Sequence, residues 1–419
     1  MRYRFCCPAA LLGAALSLSA AAQPTKSDAQ ARKLHEQVFT VDTHADTPMN
    51  LVKPGFDLTK DNDPAEAKLD LPKLKRGGLD AVFWAVYMGQ GPRTPAGNAA
   101  AKQEALRIFE AIHAAIKAHP TELALATTPA EGVRIRKAGQ RAIFIGIENG
   151  YPMGRDLGLL QQYYNLGARY MTLCHGTNND LCDSATDPTG PEYQGLSPLG
   201  VQAVAEMNRL GMMVDISHTS DSTFYDVLRV SKAPIIASHS AARAISNVPR
   251  NLSDDMLRAL AKHGGVVQLS LFSPYVRPLP PDAARDAAVQ AFNAKWKIKN
   301  FLNVYSLPEP EQKQALAEMD ELSKRFPVPL ATVQDAANQI DHIVRVAGID
   351  HVGIGGDFDG GTELDGLRDV GEYPNLTIEL VRRGYSRRDI EKIWSGNLFR
   401  VMRAAEKARS AAPAAAAGK

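Results

Sequence analysis

The sequence lacks an excess of either charge and shows no fixed-period repeat. Among its 419 residues, 48 Lys and Arg stand against 46 Asp and Glu, with no basic run. A near-neutral surface of this kind argues against nucleic acid or an anionic membrane as a partner. Hydrophobic residues at 45% and charged residues at 22% are typical of a soluble globular protein. The length suffices for one large α/β domain or two ordinary domains.

Residues 1–22 have the organisation of a secretory signal peptide. Arg2 and Arg4 precede an apolar stretch at 8–18, which is followed by small residues. The apolar stretch is short for a membrane span, so an anchor is the weaker alternative. We therefore expect cleavage near Gln23 and an exported protein, either periplasmic or secreted.

Cysteine is scarce once this segment is removed. Cys6 and Cys7 belong to it, which leaves Cys174 and Cys182. In an oxidising compartment, a disulfide between them and two free thiols are both open alternatives. The Ala-rich stretch 409–419 is expected to be disordered and has no hydrophobic tail typical of a lipid anchor. We expect no membrane anchor after removal of the signal peptide.

Eight short apolar runs predict parallel strands. Their near-continuous hydrophobicity, without polar alternation, is typical of strands covered on both faces. The runs are 38–46, 79–88, 142–148, 168–175, 212–218, 234–239, 265–271 and 351–357. Segments with helical spacing of apolar residues separate most of them. This alternation predicts an α/β fold of the (β/α)8 TIM-barrel type, with a doubly wound open sheet as the alternative.

One stretch interrupts the alternation between the seventh and eighth predicted strands. Residues 276–332 are charged and punctuated by proline, with helical segments such as 311–325. An insertion at this place is expected to project over the catalytic face of a barrel, as a lid, a substrate-shaping loop or a dimer contact. We expect residues 23–408 to form a single domain that includes this insertion.

Imidazole and carboxylate side chains stand at or near the ends of several predicted strands. They belong to His44, Asp46, Glu148, His218 and His239. The carboxyl ends of parallel barrel strands meet at one edge, so these side chains are expected in one pocket. Mixed imidazole and carboxylate ligands without thiolates favour Zn²⁺ in a hydrolytic role.

Each of these residues also has a structural alternative. His44 and Asp46 lie at i and i+2 and share one face of a strand, but Asp46 could cap a turn beside a buried His44. Glu148 at the end of a buried strand requires a positive partner, either an Arg or two cations that it bridges. His218 and His239 are 21 residues apart, a spacing that suits neighbouring strand ends. A lone His at a strand end is more often structural than a metal ligand, but two at adjacent strand ends favour ligands.

Three further residues have candidate roles in substrate binding. His175 ends the fourth run and, if it is not a ligand, can donate a hydrogen bond to an oxyanion. Asp357 ends the eighth run and faces the barrel mouth, where a phosphate loop is the less supported alternative. Arg250 can bind a substrate carboxylate through its planar guanidinium, or can be a structural residue. Histidines away from strand ends are expected at the surface, namely His35, His113, His119, His263 and His342.

Several of these segments, taken in order, resemble the membrane (renal) dipeptidase family of zinc peptidases. They read VDTHADTP, GIENG, LCHGTNN, MMVDISH, PIIASHS, NVPRN and HVGIGGDFDG. The similarity extends from about Val38 to Glu406. The resemblance implies an amidohydrolase-like barrel of the metallo-dependent hydrolase type with two zinc ions. It implies that one zinc is held by His44 and Asp46, the other by His218 and His239, and that Glu148 bridges them.

The resemblance also implies how a substrate is held. His175 would steady the scissile carbonyl oxygen, and Arg250 and Tyr275 would receive the terminal carboxylate. Asp357 would meet the free amino group and transfer protons, while a metal-bridged hydroxide attacks the peptide bond. The expected activity is a zinc-dependent dipeptidase acting on small dipeptides, with a D-residue at the C-terminal position left open and a homodimer as the family expectation. The alternatives are an amidohydrolase acting on N-acyl amino acids or on lactam or lactone bonds, and a non-catalytic binding protein.

Overall fold

The computed structural model describes residues 26–298, 304 and 307–411. The predicted signal peptide lies outside these residues. The stretch expected to be disordered from residue 409 is helical through Ala411, and the rest of it also lies outside them. Within the described ranges, no helix is both long and apolar enough to cross a membrane.

A nearly closed barrel of eight parallel strands forms the centre of the molecule, which confirms the (β/α)8 prediction. Each predicted apolar run overlaps one barrel strand. A ninth strand, β3, was not predicted and pairs only with the first half of β4. In chain order the strands are β1 Val41–Ala45, β2 Ala81–Tyr87, β3 Leu123–Leu125, β4 Arg141–Glu148, β5 Ala168–Thr172, β6 Met213–Asp215, β7 Ile236–Ser240, β8 Val266–Leu269 and β9 Val352–Ile354.

Helices surround the barrel and often begin at a side chain that caps the first turn. Ser220 and Ser253, for example, accept hydrogen bonds from backbone N–H groups three residues later. The helices are α1 Lys26–Gln37, α2 Pro48–Leu51, α3 Leu71–Arg76, α4 Pro95–Ala118, α5 Pro129–Lys137, α6 Gly158–Asn165, α7 Pro198–Leu210, α8 Asp221–Val230, α9 Asp254–Lys262, α10 Ser273–Val276, α11 Ala283–Trp296, α12 Glu309–Arg325, α13 Val333–Ala347, α14 Pro374–Arg382, α15 Arg387–Glu391 and α16 Asn397–Ala411.

Several aromatic rings stack in a buried cluster that joins strand residues to α16. Phe83 stacks on Phe144 at 4.7 Å between ring centroids and on Tyr170 at 5.4 Å. From α16, Phe399 approaches Phe144 at 6.4 Å. Gly146 makes room for this packing, because a Cβ there would lie 2.0 Å from the Tyr170 ring. From this stack, the Tyr170 hydroxyl reaches Nδ1 of His44 at 2.8 Å.

The insertion predicted between the last two barrel strands lies between β8 and β9. It contains α11 and α12, which share a small apolar cluster that includes Phe292 and Ala315. Its expected role as a lid, a substrate-shaping loop or a dimer contact stays a prediction.

The prediction that His35 lies at the surface is wrong. This ring is 1% exposed, with Nε2 2.8 Å from the carbonyl oxygen of Gly77 and Nδ1 2.7 Å from the hydroxyl of Thr377. Trp394 donates to the same hydroxyl at 2.9 Å. His35 therefore anchors α1 to a part of the chain more than 300 residues away.

Candidate metal centre

Glu148 lies at the centre of the predicted site, at the end of β4, and its two carboxylate oxygens face different imidazoles. Oε2 lies 3.3 Å from Nε2 of His44. Oε1 lies 3.1 Å from Nε2 of His218 and 3.4 Å from Nε2 of His239. Residues from β1, β4, β7 and the loop after β6 therefore meet at one end of the barrel, as the positions at the strand ends predicted.

Asp46 and Asp357 lie on the His44 side of Glu148. An oxygen of Asp46 is 3.8 Å from Nε2 of His44, and an oxygen of Asp357 is 3.9 Å from the same atom. Potential ligand atoms of these three residues all lie within 4.8 Å of one another. Asp357 has a φ of 62°, in the left-handed region, and donates its N–H to the carbonyl oxygen of His44 at 2.9 Å. A non-glycine residue held there stores backbone strain, which is typical of functional sites.

His175 lies on the other side of Glu148. Its Nε2 is 3.6 Å from Oε1 of Glu148, and the two residues form a potential ligand group with His218. The His175 ring lies 4.1 Å from the ring of His218 and edge-on to that of Tyr87 at 5.0 Å. This position is compatible with either a ligand or a hydrogen-bond donor to substrate.

Tyr170 sets the tautomer of His44. The Tyr170 hydroxyl donates to the carbonyl oxygen of Thr43 at 3.1 Å and lies 2.8 Å from Nδ1 of His44. Since the single hydroxyl proton goes to Thr43, the oxygen accepts the Nδ1–H of His44. Nε2, which faces the carboxylates, is then the atom of His44 available to a cation.

Ser238 and Asp215 orient His239 in a similar way. The Ser238 hydroxyl donates to Oδ2 of Asp215 at 2.6 Å and lies 2.8 Å from Nδ1 of His239. Asp215 also accepts the backbone N–H groups of Ser217 and Ser238 and the hydroxyl of Thr172. The Ser238 oxygen therefore accepts Nδ1–H, which leaves a lone pair on Nε2 of His239 directed at Glu148.

The buried carboxylates place an excess of negative charge at the site. Burial raises the pKa of Asp46 well above its usual range, with a contribution from Glu148, and it raises that of Asp357 to about 7. Burial alone would lower the pKa of His44, but Glu148 and the neighbouring aspartates together raise it to about 10. Burial would likewise raise the pKa of Glu148, but His44, His218 and His239 hold it well below its usual range. The site is therefore built for positive charge.

Several buried atoms at this place that could ligate a metal have no hydrogen-bond partner. Nε2 of His44 and Oδ1 of Asp46 are two of them. Nε2 of His218 and Nε2 of His239 lie only 3.0 Å apart, and burial lowers the pKa of both rings well below the usual range. Neutral imidazole nitrogens facing a carboxylate, without thiolates, form a donor set that fits zinc ions.

A cavity of about 320 Å³ opens above these groups, and Arg250 and Tyr275 lie in its wall. Arg250 is 5% exposed, and its Nη2 donates to the carbonyl oxygen of His239 at 3.3 Å. Its Nε has no partner, its guanidinium lies 5.4 Å from the centre of the Tyr275 ring, and it forms no ion pair within the described part of the chain. A buried cation of this kind is a ready site for an anion.

Several residues that complete the site were not singled out in the sequence. Tyr170, Ser238 and Asp215 act through contacts between strands, so no local pattern reports their role. Met49 and Phe272 belong to the cavity wall and resemble ordinary apolar residues in the sequence.

The comparisons with known proteins agree with one another. The sequence profile described as "Membrane dipeptidase (Peptidase family M19)" matches residues 28–416. The dipeptidase tcpJ of Claviceps purpurea is 31% identical over 84% of this chain and 72% of its own length. The dipeptidase verJ of Clonostachys rogersoniana is 33% identical over 81% of this chain and 76% of its own. The crystal structure of the probable dipeptidase PvdM from Pseudomonas aeruginosa, at 31% identity, superposes with a TM-score of 0.82 over 91% of this chain and 99% of that one.

Proposed function

The chain belongs to the membrane dipeptidase family, peptidase family M19, and is a metallo-dipeptidase; we propose that it hydrolyses dipeptides with two zinc ions. His44 and Asp46 would hold one ion, and His218 and His239 the other. Glu148 would bridge the two ions. The observation that carries this assignment is the split of Glu148, whose Oε2 faces His44 while its Oε1 faces His218 and His239.

The proposed substrate spans the cavity between two charged residues. The guanidinium of Arg250, which has no carboxylate partner among the described residues, would bind the substrate's terminal carboxylate with Tyr275 beside it. Asp357 would bind the free amino group. A cavity of about 320 Å³ is at the small end of ligand sites, which suits a dipeptide better than a longer peptide. Anchoring both termini would exclude longer chains by length.

The chain's own residues orient the scissile bond and transfer the protons. Zinc, when bound, supplies an acidified water and positive charge for the reacting carbonyl. His175, at 3.6 Å from Glu148 and facing the cavity, would donate a hydrogen bond to the carbonyl oxygen as charge develops there. Asp357 would carry a proton to the departing amine.

Metal analysis and a substrate panel test this proposal together. We expect two zinc ions per chain, loss of activity on chelation and recovery on addition of zinc. His218→Ala should abolish dipeptide hydrolysis while circular dichroism shows an unchanged fold. Undiminished turnover in this folded variant would rule out the proposed centre.

The panel also separates dipeptidase activity from that of an N-acyl amino acid hydrolase. We expect a dipeptide with a free amino group to be cleaved and its N-acetylated form to be a poor substrate, because Asp357 binds an ammonium group. L,L- and L,D-dipeptides in the same panel determine which stereochemistry is accepted at the C-terminal position. Faster cleavage of the N-acetylated form would favour the alternative enzyme class.

We also propose that the protein is exported and works as a homodimer. The support for export is the pattern of residues 1–22, and the support for a dimer is the family resemblance. N-terminal sequencing of the mature protein should give a start near Gln23, and light scattering should give twice the mass of one chain. A full-length N-terminus in the cytosol would contradict export, and the mass of one chain would contradict the dimer.

A further inference from the structure

The barrel closes between its first and last strands without a regular ladder. β1 and β9 stand at the two ends of the strand order, and the described residues show no continuous register between them. Two backbone bonds join them near their C-terminal ends: Asp357 donates to the oxygen of His44 at 2.9 Å, and Asp46 donates to the oxygen of Phe358 at 2.8 Å. We call this junction the seam. Three residues of the candidate site lie directly on it.

The carboxylate of Asp42 takes part in holding the seam together. This side chain is fully buried, two residues before His44. Its Oδ1 accepts the backbone N–H of His44 at 3.0 Å and that of Gly356 at 2.8 Å. One oxygen atom therefore joins β1 to the segment after β9, immediately before Asp357.

Tyr373 holds the other oxygen of Asp42. Its hydroxyl donates to Oδ2, and its buried ring packs edge-on against Phe358 at 5.6 Å and Trp394 at 5.1 Å. A Cβ on Gly356 would lie 2.4 Å from the Tyr373 hydroxyl and 2.7 Å from Oδ2 of Asp42. The close approach of these three groups therefore requires glycine at this position.

We propose that Asp42 is a positioning residue of the dipeptidase, which fixes His44 and Asp46 at the C-terminal end of β1 against Asp357 beyond β9. Its oxygens are occupied by the two N–H groups and the Tyr373 hydroxyl, so it acts through the strands it joins. This inference rests on the proposed function, because it concerns the zinc ion assigned to His44 and Asp46. The other ion's ligand His239 is oriented by Ser238 and Asp215, which Asp42 does not contact.

Zinc titration of the apoprotein tests the role of Asp42 against a matched control. Asp80 is also a buried carboxylate that binds a backbone N–H next to β1, that of Thr40 at 3.1 Å, but it lies at the opposite end of the strand. We expect Asp42→Ala to weaken one of two zinc sites by roughly 10–100-fold, the range typical when a hydrogen bond that orients a metal ligand is removed, and to lower kcat with little change in KM. Asp80→Ala should lower the thermal midpoint with both zinc affinities within about twofold of wild type.

If Asp42→Ala does not fold, two conservative variants still decide the test. Asp42→Asn retains an oxygen for the two N–H groups and should restore most of the zinc affinity and kcat. Tyr373→Phe removes one donor and should weaken the same single site to a smaller degree.

Different results overturn the positioning role and the proposed function. Wild-type affinity at both sites in Asp42→Ala, or in Tyr373→Phe if the first variant is insoluble, would overturn the positioning role. If Asp42→Ala and Asp80→Ala weakened both zinc sites equally, Asp42 would contribute only to general stability, and the positioning role would be overturned as well. A wild-type protein that binds fewer than two zinc ions would instead contradict the proposed function, and the kcat comparison of Asp42→Ala with Asp80→Ala would still decide the role of Asp42.

Discussion

Replacing Arg250 should weaken the binding of the substrate's terminal carboxylate far more than it affects the other steps of the reaction. Its guanidinium is 5% exposed and forms no ion pair with any described residue, and its Nε has no hydrogen-bond partner. Beyond the Nη2 donor that the carbonyl oxygen of His239 accepts, N–H groups of the guanidinium are therefore available to a carboxylate in the cavity. Arg250→Met keeps much of the aliphatic length and removes the charge, which makes it the appropriate perturbation.

The expected magnitude follows from the bonds that the substrate loses. Each hydrogen bond to a charged group contributes about 1.5–3 kcal/mol, and a carboxylate facing the guanidinium forms two of them. A loss of about 3 kcal/mol, at the low end, corresponds to roughly a 150-fold fall in kcat/KM. Arg250→Lys keeps the charge but not the planar fork and should fall between wild type and Arg250→Met.

The assay compares a dipeptide with its C-terminal amide in both proteins. Wild type should prefer the free acid strongly, and Arg250→Met should cleave the two compounds at similar, low rates. The difference between the two losses isolates the contact between Arg250 and the carboxylate. An equal fold-loss for the acid and the amide would refute the assignment, because the arginine would then support the site without binding that group.

Three other predictions concern the surrounding structure. Burial lowers the pKa of His35 from 6.5 to about 4, so the neutral ring stabilises the fold above pH 6.5 and this stability is lost as the pH falls towards 4. Between pH 7 and 5, the unfolding free energy of wild type should therefore fall by roughly 2 kcal/mol more than that of His35→Gln in denaturant titrations. Equal falls in the two proteins would contradict this. Ser238→Ala should weaken zinc binding by roughly 10–100-fold in a competition assay. Replacement of Ser231, a buried serine before β7, by alanine should leave zinc binding unchanged. Equal effects of the two substitutions would refute the role of Ser238 in orienting His239. Gly146→Ala would clash with the Tyr170 ring and should lower the thermal midpoint, corresponding to about 1–3 kcal/mol; an unchanged midpoint would show that the stack is not tight.

The barrel, the family and the enzyme class were predictable because their signals are local. Each buried parallel strand has a nearly continuous apolar run, so eight runs indicated eight strands. The short β3 has only three residues and pairs with part of one neighbour, which leaves too little pattern to recognise. His44 and Glu148 were visible because a charged residue at the end of an apolar run is unusual.

The supporting residues were not predictable, because their partners are distant in the sequence. Tyr170 reaches His44 across 126 positions, and Asp42 reaches Tyr373 across 331. His35 lies on a helix with a polar sequence, and its burial depends on Thr377 and Trp394 near the other end of the chain. A single sequence does not contain these pairings.

Anomalous diffraction from crystals of the zinc-loaded protein tests the central claim most directly. Data collected on both sides of the zinc absorption edge locate each ion without reference to activity. We predict two peaks in one site, one beside His44 and Asp46 and one beside His218 and His239, with Glu148 between them. A single peak, or peaks away from Glu148, would contradict a two-metal centre assembled at the ends of the barrel strands.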